Sequence, residues 1–181
     1  MIRSELTTMQ ACTPDPWVVF EYEVEMFFAA RYVLQHGMAD NETIWPWIRN
    51  ALVESAVLHT RILIDILLSR KQDDDDILLR ALLPNQHANE KVVCLVKTLR
   101  KAYGNRNEPS TACWTFNKML AHPTFNRTGG FDYTSLVSQL DPVIISLLRE
   151  ISLTADRPSF KHLLSRFLPD VEMSELCRES A

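Results

Sequence analysis

A chain of 181 residues, 46% apolar and with a formal net charge of −4, can bury roughly 70% of the surface its unfolded form exposes. One helical domain therefore needs neither a disulfide framework nor a structural metal to hold it. Only four glycines among long stretches of Leu, Ala, Glu and Arg exclude a turn-rich β-sandwich and predict an all-α antiparallel bundle of about five to seven helices. The charge is uneven: residues 1–90 carry 7 Lys/Arg against 14 Asp/Glu, residues 91–127 carry 7 against 1, and residues 128–181 carry 5 against 8.

Asp15-Pro16 is a strong helix start, with Asp as N-cap and Pro in the first turn. WVVFEYEVEMFFAARYVLQHG then runs as one helix to Gly37. Pro46 opens a second helix in NETIWPWIRN, whose apolar pattern continues to about Ser69 as a rod of roughly 35 Å. ALVESAVLHTRILIDILL within it is apolar nearly all round, as a helix at the centre of a bundle is. KQDDDD reads as a solvated acidic turn capping a short helix, ILLRALL, which Pro84 stops.

ANEKVVCLVKTLRKAYG forms the next helix, with Val92, Val93, Leu95, Val96 and Leu99 on its apolar face. After GNRNEPS, Ser110 caps TACWTFNKMLAH, which ends near His122 because Pro123 forces the preceding residue out of the α region. FDYTSLVSQLDPVIISLLREISLT follows, with a break or restart at Asp141-Pro142, and SFKHLLSRFL closes the helical set. The core is expected over about 16–154, with 1–14 and 169–181 loosely held.

Cys12, Cys94, Cys113 and Cys177 are scattered without a CxxC pair, which fits reduced thiols in a cytosol. MIRSELTTMQACTPDP has no apolar leader core and no stretch has a membrane span's length, so a cytoplasmic protein is expected. No HExxH, calcium-loop, phosphate-loop or dinucleotide spacing is present, and neither a metal nor another cofactor is expected.

Two polar groupings stand out. Glu54, Arg61 and Asp65 share roughly 40° of arc on the second helix, a stripe that is either paired internally or lines a polar cavity. FNKMLAHPTFNR brings Asn117, Lys118, His122 and Arg127 to one helix end within the basic block. An imidazole that gains and loses a proton near neutral pH, beside two cations able to hold a phosphate, is a set for metal-free phosphodiester cleavage. The competing structural reading has His122 capping helix carbonyls and Arg127 paired with Glu54 or Asp65. His59, alone on an apolar face, reads as a satisfied core residue.

An acid-bearing long helix, ESAVLHTRILID, followed by a helix ending NKMLAHPT, resembles the HEPN superfamily of small helical bundles and a set of short bacterial proteins. The resemblance spans about residues 45–150. It implies a homodimer in which two copies of an Arg-polar-spacer-His motif form a metal-independent ribonuclease site, often in toxins or defence factors. His122 matches the motif His and Lys118 the residue after the Arg, while Asn117 stands where the Arg is expected. The implied function is RNA binding or cleavage, with Trp114, Phe116 and Phe125 as anchors of the dimer interface. The rival readings are a non-catalytic interaction module, such as an antitoxin or scaffold partner, and a small-ligand bundle lined by the polar stripe.

Overall fold

In a computed structural model, which describes residues 15–36, 45–70, 76–85, 89–121 and 133–168, the chain is built from helices. These are α1 (Pro16–His36), α2 (Trp45–Leu67), α3 (Leu79–Leu82), α4 (Glu90–Tyr103), α5 (Ala112–Ala121), α6 (Tyr133–Thr154) and α7 (Pro158–Phe167). No strand occurs among the described residues, so the fold is an all-α bundle. No described helix is long and apolar enough to cross a membrane.

The capping chemistry sets several boundaries. Trp17 N donates to Asp15 Oδ1 at 3.0 Å and starts α1, and Asn89 Oδ1 accepts from Lys91 N and Val92 N at 3.0 and 3.1 Å to start α4. Gly104, at φ +75°, ends α4. The cap of α5 is Thr111 rather than Ser110: Trp114 N donates to Thr111 Oγ1 at 3.2 Å, while Ser110 sits at φ +77° in the turn before it. α3 likewise lacks the acidic cap expected of KQDDDD. Leu78 is its N-cap without a side-chain hydrogen bond, and Asp73, Asp74 and Asp75 lie outside the described residues.

α6 differs most from expectation. It runs unbroken through Pro142, because Pro142 is exposed on the outer side, where the lost N–H can be tolerated, while its neighbours Leu140 and Ile144 are fully buried. Burial on the inner face outweighs one missing backbone bond, whose cost is ~3 kcal/mol.

α1 and α2 pack along their lengths. Only eight residues, 37–44, separate them, the length of connection by which neighbouring helices of a bundle turn back on one another, so the two helices run antiparallel. α4 and α6 are antiparallel as well, since Asn89 at the start of α4 donates to Thr154 Oγ1 at the end of α6 at 2.8 Å. α7 lies along α1 in the same direction, Phe160 meeting Trp17 and Phe20, and Phe167 stacking on Phe28 at 5.0 Å. α2 touches α1, α5 and α6, but it is not enclosed all round. Trp47, Ala51, Glu54 and Leu58, one strip at i, i+4, i+7 and i+11, are exposed.

A buried and a partly buried polar link tie the apolar core together, and the second is set apart from other partly buried pairs by its four short bonds. Glu23 on α1 and His59 on α2, each 7% exposed, meet at 2.7 Å, so His59 is a satisfied core residue. Arg31 on α1 reaches across to α6 and α2: Nε and Nη2 donate to the two carboxylate oxygens of Asp141 at 3.0 and 2.7 Å. Nη2 also donates to Thr60 Oγ1 and Nη1 to Phe27 O, both at 2.8 Å. Removing one partner of such a pair leaves a desolvated charge behind. Arg31→Ala is therefore expected to cost ~3 kcal/mol or more, against ~1 kcal/mol for Arg61→Ala, whose 3.7 Å pair with Asp65 is about a quarter exposed. Urea unfolding of the two variants checks the order, and an equal loss in both would contradict it.

Candidate functional site

The polar stripe of α2 and the basic segment of α5 come together at one junction, through a residue that neither grouping contains. α2 ends with Ser69 at φ +52°. Ser69 N donates to Ile66 O at 3.0 Å and Arg70 N to Asp65 O at 2.9 Å, the paired bonds of a Schellman cap, with serine where glycine is usual. That turn aims the Arg70 side chain back over its own helix end. Arg70 Nη1 lies 4.0 Å from Asp65 Oδ1 and 3.2 Å from Cys113 Sγ, and Nη2 donates to Gly104 O at 3.4 Å. Its guanidinium carbon stands 4.9 Å from the centre of the Tyr103 ring.

Cys113 is fully buried and links the junction to α5. Asn117 Nδ2 donates to Cys113 O at 2.9 Å and approaches Cys113 Sγ at 3.6 Å. The Asn117 amide is thus held back along its own helix rather than extended toward solvent. Lys118, one residue on, is exposed, its ammonium 6.0 Å from the centre of the Trp114 ring. His122 and Arg127 lie outside the described residues. Phe116 is fully buried against Tyr103, so it belongs to the core and is not available as an interface anchor. Phe125 lies outside the described residues.

Of the stripe, Arg61 and Asp65 are partly buried and paired at 3.7 Å, whereas Glu54 is on the exposed strip. The shared arc is real, but the helix leaves the bundle surface toward its N-terminal half, so only the last two turns carry the stripe inward. Burial pushes the Asp65 carboxyl above the ordinary carboxylate range, against the opposing pull of Arg61 and Arg70. Burial, with the charges of Asp65 and Cys113 adding to it, pushes the Tyr103 phenol far up, so it remains protonated and can act only as a neutral group. Among the described residues no three His, Cys, Asp or Glu side chains gather as a metal's ligands would.

The basic block emerges on the surface around the same junction. Lys97, Arg100 and Lys101 on α4, Arg106 in the connection and Lys118 on α5 are all exposed, and none forms an ion pair among the described residues. Lys91 is the exception, held by Glu150 at 2.6 Å. Arg70 and Cys113 were not singled out by sequence. Arg70 had only one signal, a cation just past the end of a helix bearing an inward acid. No protein-family model, curated protein or solved structure matches this chain.

Asp65 makes a proton-linked prediction. A carboxyl raised in the folded state favours folding most at low pH, below its unfolded value, and that contribution is lost as pH rises through the folded value. Asp65→Asn is therefore expected to gain stability relative to the parent protein on going from about pH 4 to about pH 7, as read by denaturant unfolding at both pH values. A difference that does not change with pH would be inconsistent with a desolvated carboxylate.

The α4–α5 turn makes a second one. A Cβ on Gly104 would stand 2.6 Å from Thr111 Cγ2, at a φ that side chains rarely adopt. Thr111 is also the cap of α5 and donates its hydroxyl to Asn105 O at 2.6 Å. Gly104→Ala is expected to lose ~2 kcal/mol from strain and displacement of that cap, measured as a lower unfolding midpoint.

Proposed function

We propose that this is an HEPN-like RNA-binding protein. In this reading α4, the connection after it and α5 form the RNA face, and His122 serves as the proton-transfer residue of a metal-independent ribonuclease. The observation that carries the proposal is the separation between paired and unpaired charge. Arg31, Arg61, Arg70, Arg157 and Arg166 each stand against a carboxylate. Among the described residues Arg49, Arg80 and Arg149 are exposed and unpaired singly on other helices, whereas the cations of 97–118 stand exposed and unpaired together around the junction. A cluster of unmatched cations is the electrostatic footprint of a polyanion. RNA rather than a single phosphate suits it, because the cations span two helices and their connection instead of converging on one point.

In that reading the motif position occupied by Asn117 contributes no charge, and its amide already serves Cys113 O. Stabilisation of a phosphorane falls to Lys118 and Arg127, and turnover is slow. Two copies would complete the site. The interaction-module reading has its own observation: Trp47 is 78% exposed, beside the exposed Leu58 strip of α2, and such an aromatic is a favoured anchor of protein interfaces.

Binding of a fluorescent single-stranded RNA is expected to weaken with salt, with a log–log slope of about −0.7 per phosphate contacted. Lys101→Ala together with Arg106→Ala should reduce that slope by about 1 to 2. His122→Ala should abolish cleavage while leaving RNA affinity and helical circular dichroism intact, and EDTA should have no effect. Absence of salt-dependent binding would leave the interaction-module reading, for which loss of self-association in Trp47→Ser, read by sedimentation, is the positive sign.

A further inference from the structure

A cavity of about 300 Å³ opens between the start of α1, α3 and the turn joining α6 to α7. None of Glu54, Arg61 or Asp65 lines it. Its apolar walls come from Trp17, Leu82 and Leu83, and its polar rim from Asn85, Asp156 and Arg157. The volume is at the lower end of small-molecule sites, enough for one ring and a short chain.

The walls are rigid for identifiable reasons. Trp17 is braced by Phe20 and Phe160, with ring centres 5.7 and 5.5 Å away, and Leu82 and Leu83 are buried members of the core. The Thr154 hydroxyl beside the cavity is already committed, accepting from Asn89 Nδ2 and donating to Glu150 O, both at 2.8 Å. The Arg157 charge is also committed. Nη2 donates to Asp15 Oδ2 at 2.7 Å and Nε to Glu21 Oε1 at 3.4 Å, and the hydrogen bond to Asp15 raises the guanidinium above its usual range. The Asp15 carboxyl is held below the ordinary carboxylate range, first by the Trp17 N–H and then by Arg157, so it is ionised at neutral pH.

Two polar groups of the rim remain. The Asp156 carboxylate and the Asn85 amide, both exposed, have no partner among the described residues. Asp15 and Glu21 stand against Arg157 just outside the lining, and Asp156 lies on the rim itself, so this end of the bundle holds three carboxylates to one guanidinium. The cavity mouth is therefore negative, while its interior is aromatic and aliphatic.

We infer that this cavity is a binding site for a small organic cation: an ammonium group carrying one apolar ring. The ring enters against Trp17, Leu82 and Leu83, the ammonium is met by the Asp156 carboxylate, and the Asn85 carbonyl offers a second acceptor. An anionic ligand of the same shape would meet Asp156 with nothing to offset it, because Arg157 is already occupied. The inference is independent of the RNA face, which shares no residue with this cavity.

The test is titration of the full-length protein with 2-phenylethylammonium, phenylacetate and 2-phenylethanol, followed by ligand-observed NMR. The ammonium compound is expected to bind saturably and about tenfold more tightly than phenylacetate, a difference the size that one close charge contact supplies when it is screened almost as in water, as it is at the exposed Asp156. Asp156→Asn should weaken the ammonium by about threefold or more and leave 2-phenylethanol unchanged. Asp156→Lys, a surface change with little risk to the fold, should invert the order in favour of phenylacetate. Failure of all three compounds to saturate would overturn the assignment. So would a preference for the ammonium that survives Asp156→Lys, which would place its binding elsewhere.

Discussion

Arg31 carries a full charge into the seam between α1, α2 and α6, and the desolvation this costs is offset only because each guanidinium nitrogen has an acceptor. Asp141 takes two of the bonds, while Thr60 and the Phe27 carbonyl take the others. Around it the packing is apolar on all sides: Phe27, Leu63, Leu140 and Ile144 are fully buried. Apolar burial supplies most of the driving force, but it is non-directional, and several helix registers would bury similar area. A bidentate pair across three helices permits one. Glu23 and His59 act in the same sense about two turns back along α1, and together they hold α1 in a single register on α2.

That register matters for the junction at the far end of α2. With α2 held by α1 and α6, its C-terminal Schellman turn is presented to the end of α4 and the start of α5. Ser69 accepts a left-handed backbone that costs of order 1 kcal/mol relative to glycine, and the return is the position of Arg70 over Asp65, Tyr103 and Cys113. Gly104 then turns the chain tightly enough for Thr111 to cap α5. Three helix ends thus share one guanidinium, and a displacement at any one of them is felt by the other two.

Much of the helical layout was legible in the sequence because its signals are local. Asp15-Pro16 at the start of the first helix and the glycine that closes KTLRKAYG each act within a turn, and the structure places helix ends there. The unbroken α6 was not legible, since the proline rule is local while the burial that overrides it is tertiary. Nor was Arg31: its carboxylate partner is 110 residues away, and nothing in FFAARYVLQ distinguishes it from a surface cation. The stripe was half legible. A shared arc on α2 located Arg61 and Asp65, but helical phase carries no information on where the helix emerges from the bundle, and Glu54 falls on the emerged part. Phe116 shows the converse error, because an aromatic beside polar neighbours reads as an anchor until a neighbouring helix is known to cover it.

Charge pairing separates what stabilises this fold from what it offers to others. On the α1–α7 seam, Arg157 and Arg166 are matched by Asp15, Glu21 and Glu25, and on the α4–α6 seam Lys91 is matched by Glu150. Such pairs, even where individually weak, remove their fields from the surroundings, because opposite charges a few ångströms apart look neutral beyond a Debye length. The field that reaches solvent therefore comes from the residue left over. Around the α4–α5 connection that remainder is positive and spread over two helices. At the mouth of the α1–α3 cavity it is negative, from Asp156 and from the two carboxylates that share Arg157. A net charge of −4 would suggest a protein that repels polyanions. It is the arrangement of partners, and not the total, that leaves one extended basic face and one small acidic mouth on the same molecule.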